Sequence, residues 1–172
     1  MQALGTQLLR QPSLSADKIV FVYADDLWLV ARDGGIAQRL TTDVGTESNP
    51  HFSPDGKMIA FTAQYDGNRD VYVVPTTGGT PKRMTWHPGT DAVQGWTPDG
   101  KAIVFRSGRA SRPSLTNRLY QIALDEPWPQ PLEAPRAAYG EISPDGKKIA
   151  YTPITSWDAE WRNYRGRGST AA

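Results

Sequence analysis

The sequence predicts an all-β fold built from repeated antiparallel units, and three observations support that prediction. A turn of the Ser-Pro-Asp-Gly type, followed by an apolar strand, begins at Ser53 and recurs at Thr97 and Ser143. A degenerate copy without the Pro and the Gly begins at Ser15. The starts of these turns are 38, 44 and 46 residues apart, close to the length of a four-stranded propeller blade, about 40–50 residues. The 14 prolines and 16 glycines fall mostly at turns, and no stretch predicts a helix of more than one turn. We therefore predict a β-propeller of four-stranded antiparallel blades.

The chemistry of the turn explains why each unit contains a tight hairpin. Ser53 suits the first turn position, Pro54 presets φ at the second, and Gly56 supplies a left-handed residue at the end. A type I turn followed by a left-handed residue is a common hairpin connection. Residues 58–61 are then apolar without alternation, which is typical of a strand covered on both faces.

The first two units share the same order of elements after this turn: two apolar strands and a short outer strand whose charges face water. In the first unit, about residues 12–42, these strands are residues 19–23, 26–30 and 37–41. In the second unit, about residues 50–86, they are residues 58–62, 70–74 and 81–85. The close match between the units favours a propeller over a sandwich, because the repeat is one of sequence and not only of spacing.

The third and fourth units depart from this pattern. The third, about residues 93–134, has a longer loop at 107–117 and a weak outer strand near Pro131. The fourth, about residues 139–168, follows the pattern only through Tyr151 and lacks convincing outer strands. The prediction is therefore one partial propeller domain over residues 1–172, with three complete units and an incomplete fourth.

Large aromatic side chains at matching positions of the units are the predicted core. They are Phe21, Trp28, Phe61, Tyr72, Trp96, Phe105, Tyr120 and Tyr151. A single four-stranded unit cannot cover both of its faces, so such units are stable only when stacked. Because propellers have about four to eight blades, two blade faces should lie open. We expect the remainder of a propeller, or another copy of the chain, to cover them.

The composition excludes several classes of protein. The 172 residues include 19 basic and 18 acidic side chains, and this balance gives no global attraction to nucleic acid or to a membrane. The absence of cysteine excludes disulfides and thiolate zinc sites. The first 12 residues lack the apolar core of a signal peptide, and no segment is long enough to span a bilayer. We expect a cytoplasmic protein.

Several stretches resemble the six-bladed propeller at the start of tricorn proteases. They are residues 19–28, residues 49–57, residues 81–85 and, most specifically, Trp161-Arg162-Asn163-Tyr164-Arg165-Gly166, which resembles the element that closes the fourth tricorn blade. The Ser-Pro-Asp-Gly-Lys turns are less specific, because they also resemble TolB and the propellers of prolyl-oligopeptidase relatives. The resemblance extends from about Leu9 to Gly166.

The resemblance implies a role in peptide degradation. Tricorn-like proteins are large cytosolic serine peptidases that shorten oligopeptides and assemble as homo-hexamers, and their six-bladed propeller is thought to form a channel to the active site. No catalytic position of the family falls within this chain, so we expect a non-catalytic propeller portion that needs no cofactor. Two alternatives stay open: a free-standing or TolB-like protein-binding propeller, and the lid of a prolyl-oligopeptidase-type enzyme.

Candidate sites for chemistry are few. A Ser-His-Asp arrangement needs a base beside its nucleophile, and the only histidines, His51 and His87, lie before turns where packing is the ordinary role. The polar stretch 66–70 lacks the spacing of a calcium loop. Asp25 and Asp26 are adjacent, and neighbouring strand residues point to opposite faces, so we expect no shared site there.

One basic loop is the predicted ligand site. It comprises the segment 107–117 and the four arginines in and around it, Arg106, Arg109, Arg112 and Arg118. Arginine holds a carboxylate through two parallel hydrogen bonds, and every unblocked peptide ends in a carboxylate. The hypothesis is that this loop binds or steers peptide termini at a channel mouth; the alternative is a solvated insertion with scattered charges.

Overall fold

A computed structural model describes residues 8–110, 117–134 and 136–153. Within these ranges the chain forms four antiparallel sheets in sequence order and no helix. The first sheet consists of β1 (Arg10–Leu14), β2 (Lys18–Tyr23), β3 (Asp26–Ala31) and β4 (Gln38–Arg39). The second consists of β5 (Thr46–Phe52), β6 (Met58–Gln64), β7 (Asp70–Pro75) and β8 (Lys82–Arg83).

The remaining two sheets follow the same order. The third consists of β9 (Asp91–Trp96), β10 (Ala102–Ser107), β11 (Arg118–Ala123) and β12 (Gln130–Pro131). The fourth contains β13 (Tyr139–Ile142) and β14 (Ile149–Thr152). This unclosed row of three four-stranded sheets and one two-stranded sheet is a partial β-propeller, which confirms the predicted fold class. The element at residues 161–166 lies outside the described residues.

The first strand of each sheet is the inner one. Contacts join β1 to β5, β5 to β9 and β9 to β13, so these strands line one common surface, which we call the axial wall. The last strands, β4, β8 and β12, have only two residues each in the described chain. Such short outer strands offer little unpaired backbone to a foreign strand.

The turns between the first and second strands have the predicted geometry. In the second sheet the Gly56 N–H donates to the Ser53 carbonyl at 2.8 Å, and Gly56 has φ 69°. The Ser53 hydroxyl donates to Asp55 Oδ1 at 2.6 Å and accepts from the Met58 N–H at 3.0 Å. The hydrogen bond from the Ser53 hydroxyl lowers the pKa of the Asp55 carboxyl. The turns at Thr97 and Ser143 repeat both side-chain hydrogen bonds.

The turn at Ser15, which lacks the Pro and Gly, keeps the serine hydroxyl but is two residues shorter than the turn at Ser53. Ser15 Oγ accepts from the N–H of Lys18 at 2.9 Å, three residues on rather than five. The Ser15 N–H also donates to the Lys18 carbonyl at 2.9 Å, so the serine hydroxyl and the backbone together close the shorter loop without Pro or Gly.

The first three sheets share two apolar cores. Phe61 and Tyr72 face each other across β6 and β7 with ring centroids 5.9 Å apart, and they pack with Val20, Val22 and Leu27 of the first sheet, among others. Phe105 and Tyr120 repeat this pair in the third sheet, at 5.8 Å, in a second core that also contains residues of β6 and β7. These cores hold the sheets together.

Not every predicted core aromatic is buried. Phe61, Tyr72, Phe105 and Tyr120 are buried, whereas Phe21, Trp28 and Trp96 are half-buried. The prediction for Tyr151 is wrong, because 44% of this residue is exposed. It occupies the position of Phe61 and Phe105, whose rings pair with Tyr72 and Tyr120 on the next strand of their own sheets. The described part of the fourth sheet has no strand after β14 to supply such a neighbour.

The stacking of the turns also changes at the fourth sheet. A Cβ on Gly56 would lie 3.5 Å from Ser15 Cβ, and one on Gly100 would lie 3.5 Å from Pro54 Cδ, so consecutive turns pack closely. A Cβ on Gly146 would meet nothing within 4 Å. Instead, a cleft of about 680 Å³ separates the third and fourth sheets here.

Candidate functional site

The axial wall is polar and its strands are irregular. Bulges interrupt β1, β5 and β9, and two of them place non-glycine residues in the left-handed region, with φ 51° at Gln11 and φ 52° at Asn49. A β-bulge redirects side chains and is common next to functional sites. Here the bulges direct amide side chains from one sheet to the next.

Hydrogen bonds between these amides join three sheets. Gln11 Nε2 donates to Asn49 Oδ1 at 3.0 Å, and the Asn49 N–H donates back to Gln11 Oε1 at 2.9 Å. Asn49 Nδ2 donates to the carbonyl of Val93 at 3.5 Å, and Gln94 Nε2 donates to the same carbonyl at 2.9 Å. The wall is therefore held by side-chain bonds as well as by apolar packing.

A small axial pocket of about 170 Å³ lies where β5, β9 and β13 meet. Its lining includes His51, Gln94, Trp96 and Glu141, and we call it the axial pocket. Trp96 Nε1 donates to the His51 carbonyl at 2.9 Å, which fixes the indole beside the pocket. Burial lowers the pKa of the His51 imidazole, and the nearby Glu141 carboxylate offsets part of that effect.

A buried carboxylate bridges the first two sheets at one end of the inner strands. Glu47 Oε2 accepts from the Leu27 N–H at 2.8 Å and from the Thr41 hydroxyl at 2.6 Å. Its other oxygen accepts from the Tyr65 hydroxyl. Burial raises the pKa of Glu47 despite these donors, and burial together with the Glu47 carboxylate raises the pKa of Tyr65.

A second buried carboxylate occupies the matching place in the third sheet. Asp91 is fully buried, and its Oδ2 accepts from Arg109 Nη2 at 2.6 Å. The Arg109 guanidinium also lies 5.1 Å from the ring centroid of Phe105 and 5.0 Å from that of Tyr120. Burial raises the pKa of Asp91, while Arg109 acts in the opposite direction.

The predicted arginine site falls at this same end of the third sheet. Arg106 Nη1 donates to the Ala138 carbonyl at 3.1 Å, with its guanidinium 4.8 Å from the centroid of Tyr139. Arg118 Nη2 donates to the Leu132 carbonyl at 3.3 Å. Together with the Asp91 pair of Arg109, these contacts give three of the four arginines partners within the fold. Arg112 lies outside the described residues, and the role of the four in peptide binding stays a prediction.

The other residues singled out from the sequence have separate partners. Asp25 lies in a turn and pairs with Arg10 at 3.0 Å, whereas Asp26 pairs with Arg39 at 2.8 Å. His87 Nδ1 accepts from the Gly89 N–H at 3.0 Å. Across the described ranges, no group of three or more His, Asp or Glu side chains is placed to hold a metal ion. The same ranges contain no helix long and apolar enough to cross a membrane.

Comparison with known proteins identifies the family. The family described as the tricorn protease N-terminal beta propeller domain matches residues 6–171. The chain belongs to this family. A putative tricorn protease homolog 2 from Streptomyces coelicolor is 54% identical over 56 residues, which is 32% of this chain and 5% of that relative.

Solved structures with the same architecture include a tricorn protease and a TolB protein. The tricorn protease structure aligns with a TM-score of 0.71 and 27% identity, over 81% of this chain and 14% of the other. A putative TolB from Agrobacterium tumefaciens aligns with a TM-score of 0.73 and 25% identity, over 84% of this chain and 53% of the other. This tricorn-family propeller therefore spans a small part of the tricorn proteins that it matches.

Sequence reasoning missed the two buried acids of this tricorn-family propeller, although a signal was present. Glu47 and Asp91 each stand six residues before the turn at Ser53 or Thr97. Ala137 has the matching position before Ser143. An acidic residue repeated at a fixed distance from a turn indicates a structural role, whereas the apolar pattern alone does not reveal it.

We predict that Glu47→Ala lowers the free energy of unfolding by about 2–3 kcal/mol, because the hydroxyls of Thr41 and Tyr65 lose their acceptor and the Leu27 N–H keeps only its bond to Thr41. Urea unfolding followed by circular dichroism measures the change. The matched control is Glu126→Ala, at an exposed acid, which should change stability by less than about 0.5 kcal/mol. Equal effects of the two substitutions would contradict the bridging role of Glu47.

Proposed function

We propose that this chain is the non-catalytic propeller portion of a tricorn-like serine protease that degrades oligopeptides, and that its axial wall guides substrates or products. The observation that carries the proposal is the polar axial wall of a chain matched by the tricorn propeller family over residues 6–171. Guidance without tight capture requires polar groups that contact a peptide backbone at many points, and amide side chains both donate and accept hydrogen bonds.

The lengths compared support a location of the chemistry outside this chain. The match to the Streptomyces relative spans 5% of that protein, and in the described residues neither His51 nor His87 hydrogen-bonds to a serine or threonine hydroxyl. We propose that hydrolysis belongs to other domains of a longer cytoplasmic assembly, which forms homo-hexamers. The described part of the fourth sheet has two strands, which supports a requirement for further strands to complete this blade.

The four arginines complete the proposal. Arg106, Arg109, Arg112 and Arg118 would hold peptide carboxylates near the mouth of the axial wall. Arg106 and Arg118 donate to backbone carbonyls and form no ion pair among the described residues, which supports a positively charged border, whereas the charge of Arg109 is paired with that of Asp91.

A binding experiment tests this function. We expect the chain to bind a fluorescent unstructured decapeptide, measured by anisotropy, without cleaving it. Gln94→Leu on the axial wall should weaken binding at least threefold, because an apolar side chain removes a hydrogen-bonding group. Gln38→Leu on the outer strand β4 is the matched control and should leave affinity unchanged.

Three outcomes would contradict the proposal. Equal effects of Gln94→Leu and Gln38→Leu would remove the axial wall from peptide binding. Cleavage of the decapeptide by the purified chain would contradict its non-catalytic role. Equal affinity for the decapeptide with a free and with an amidated carboxyl end would contradict the role of the arginines.

A second candidate is a free-standing, TolB-like module that binds folded proteins. The observation in its favour is the TM-score of 0.73 to a TolB structure of which this chain covers 53%. Under this alternative, unstructured peptides would not bind, and substitutions on the axial wall would have no effect on ligand affinity.

A further inference from the structure

The axial pocket presents hydrogen-bond acceptors that the fold leaves unused. The Glu141 side chain is exposed and forms no ion pair within the described residues. The amide nitrogen of Gln94 is already committed to the carbonyls of Ala92 and Val93, at 3.5 and 2.9 Å, which leaves its oxygen as an acceptor.

His51 and Trp96, the two aromatic residues of the lining, also favour a ligand that donates hydrogen bonds. Burial lowers the pKa of His51, so the neutral ring keeps one unprotonated nitrogen that accepts. Trp96 has already donated its single N–H to the backbone of His51. The indole therefore offers the pocket no donor, and its π face attracts cations.

The matching ligand group is a cation with several N–H donors. A primary ammonium has three donors that diverge, and the acceptors come from three different strands, β5, β9 and β13. Divalent metal ions fit less well, because Mg²⁺ and Ca²⁺ sites use several oxygen ligands and the lining has one carboxylate, that of Glu141. A volume of about 170 Å³ admits an ammonium with a few carbon atoms rather than a whole peptide.

We propose that the axial pocket binds a primary ammonium group, with Glu141 as counter-charge and His51 and Gln94 as acceptors, and that its ligand is the amino terminus of an oligopeptide. The choice of a peptide rests on the proposed function. The ammonium chemistry rests on the lining alone. A lysine side chain carries the same group, so the experiment must separate the two sources.

The indole N–H of Trp96 is the reporter. In protein labelled with ¹⁵N at tryptophan, Trp96→Phe identifies its resonance, and ligands are then titrated by NMR. We expect trialanine amide to shift the Trp96 resonance saturably, whereas its N-acetyl form should bind at least tenfold more weakly. N-acetyl-lysine amide should also bind at least tenfold more weakly than the free tripeptide.

Two matched substitutions test the role of the carboxylate. Glu141→Gln keeps the shape but removes the charge, and should weaken binding of trialanine amide at least tenfold. Glu133→Gln, at an exposed acid outside the pocket, should leave that affinity unchanged. If the two substitutions act equally, or the acetylated tripeptide binds as tightly as the free one, the proposal is overturned.

A fourth ligand, n-propylammonium, separates this proposal from the function on which it partly rests. If n-propylammonium binds and responds to Glu141→Gln while no peptide binds, the ammonium site stands and the peptide role fails. If decapeptides bind regardless of acetylation, the peptide role stands and the ammonium site fails. If N-acetyl-lysine amide binds as tightly as the tripeptide, the assignment to amino termini is wrong.

Discussion

Replacing Arg109 with alanine is expected to lower the free energy of unfolding by about 3–5 kcal/mol, because it leaves the carboxylate of Asp91 buried without its counter-charge. Two ring contacts, to Phe105 and Tyr120, are lost as well. Urea unfolding at pH 7, followed by circular dichroism, measures the loss. The matched control is Arg32→Ala, at an exposed arginine, which should cost less than about 0.5 kcal/mol.

The loss of unfolding free energy in Arg109→Ala should increase as the pH rises. Burial already holds the pKa of Asp91 above its ordinary value of 3.8, and removing Arg109 raises it further. A carboxyl with a raised folded pKa is stabilising below its unfolded pKa, and that stability is lost as pH rises through the folded value. The deficit of Arg109→Ala should therefore be small near pH 4 and grow toward pH 7.

Neutralising Asp91 in the Arg109→Ala variant tests whether the unpaired carboxylate causes the loss of stability. The double substitution Arg109→Ala with Asp91→Asn should recover part of the loss at pH 7, because an uncharged amide is cheaper to bury unpaired than a carboxylate. A deficit that is independent of pH, and equally large in the double variant, would show that Arg109 stabilises the sheet by packing alone.

Replacing Phe61 with alanine is expected to lower the free energy of unfolding by about 3–5 kcal/mol, the usual cost of removing a buried phenylalanine. Phe61 is fully buried and belongs to a core shared by the first and second sheets. Its loss leaves a cavity between two sheets, so both should loosen. Chemical unfolding gives the change in stability.

Amide hydrogen exchange then locates the damage. Faster exchange is expected in both β2 and β7, because side chains of Val20, Val22, Tyr72 and Val74 line the same core. The control is Ile36→Ala, at a residue that is 91% exposed, with an expected change below about 0.5 kcal/mol. Faster exchange confined to the second sheet would contradict a core shared between sheets.

The repeated side chains explain which features were predictable. Asp26 pairs with Arg39, and Asp70 pairs with Arg83 at 2.6 Å, with the same separation along the chain in both sheets. A strict repeat in sequence predicts a repeat in structure, and these pairs follow it. In the third sheet Arg118 stands in the place of the aspartates, so its guanidinium turns to the carbonyl of Leu132 instead.

The basic loop shows the limit of the same reasoning. From the sequence, Arg106, Arg109 and Arg118 look like free charges around a long loop. In the folded chain each has an internal partner, because the loop leaves β10 beside the buried Asp91 and beside the start of β13. The sequence contains no local signal for that proximity, since Asp91 precedes Arg109 by 18 residues.

Local chemistry alone determined the strands, the Ser-Pro-Asp-Gly turns and the blade repeat, because turn conformations and apolar strands depend on residues within a few positions of one another. Only the tertiary structure decided which polar groups meet. The axial pocket takes His51, Gln94 and Glu141 from three sheets, and Glu47 acquires its partners Leu27 and Thr41 only when the first two sheets stack. These contacts depend on the rotation from one sheet to the next, a geometric quantity that no short stretch of residues encodes.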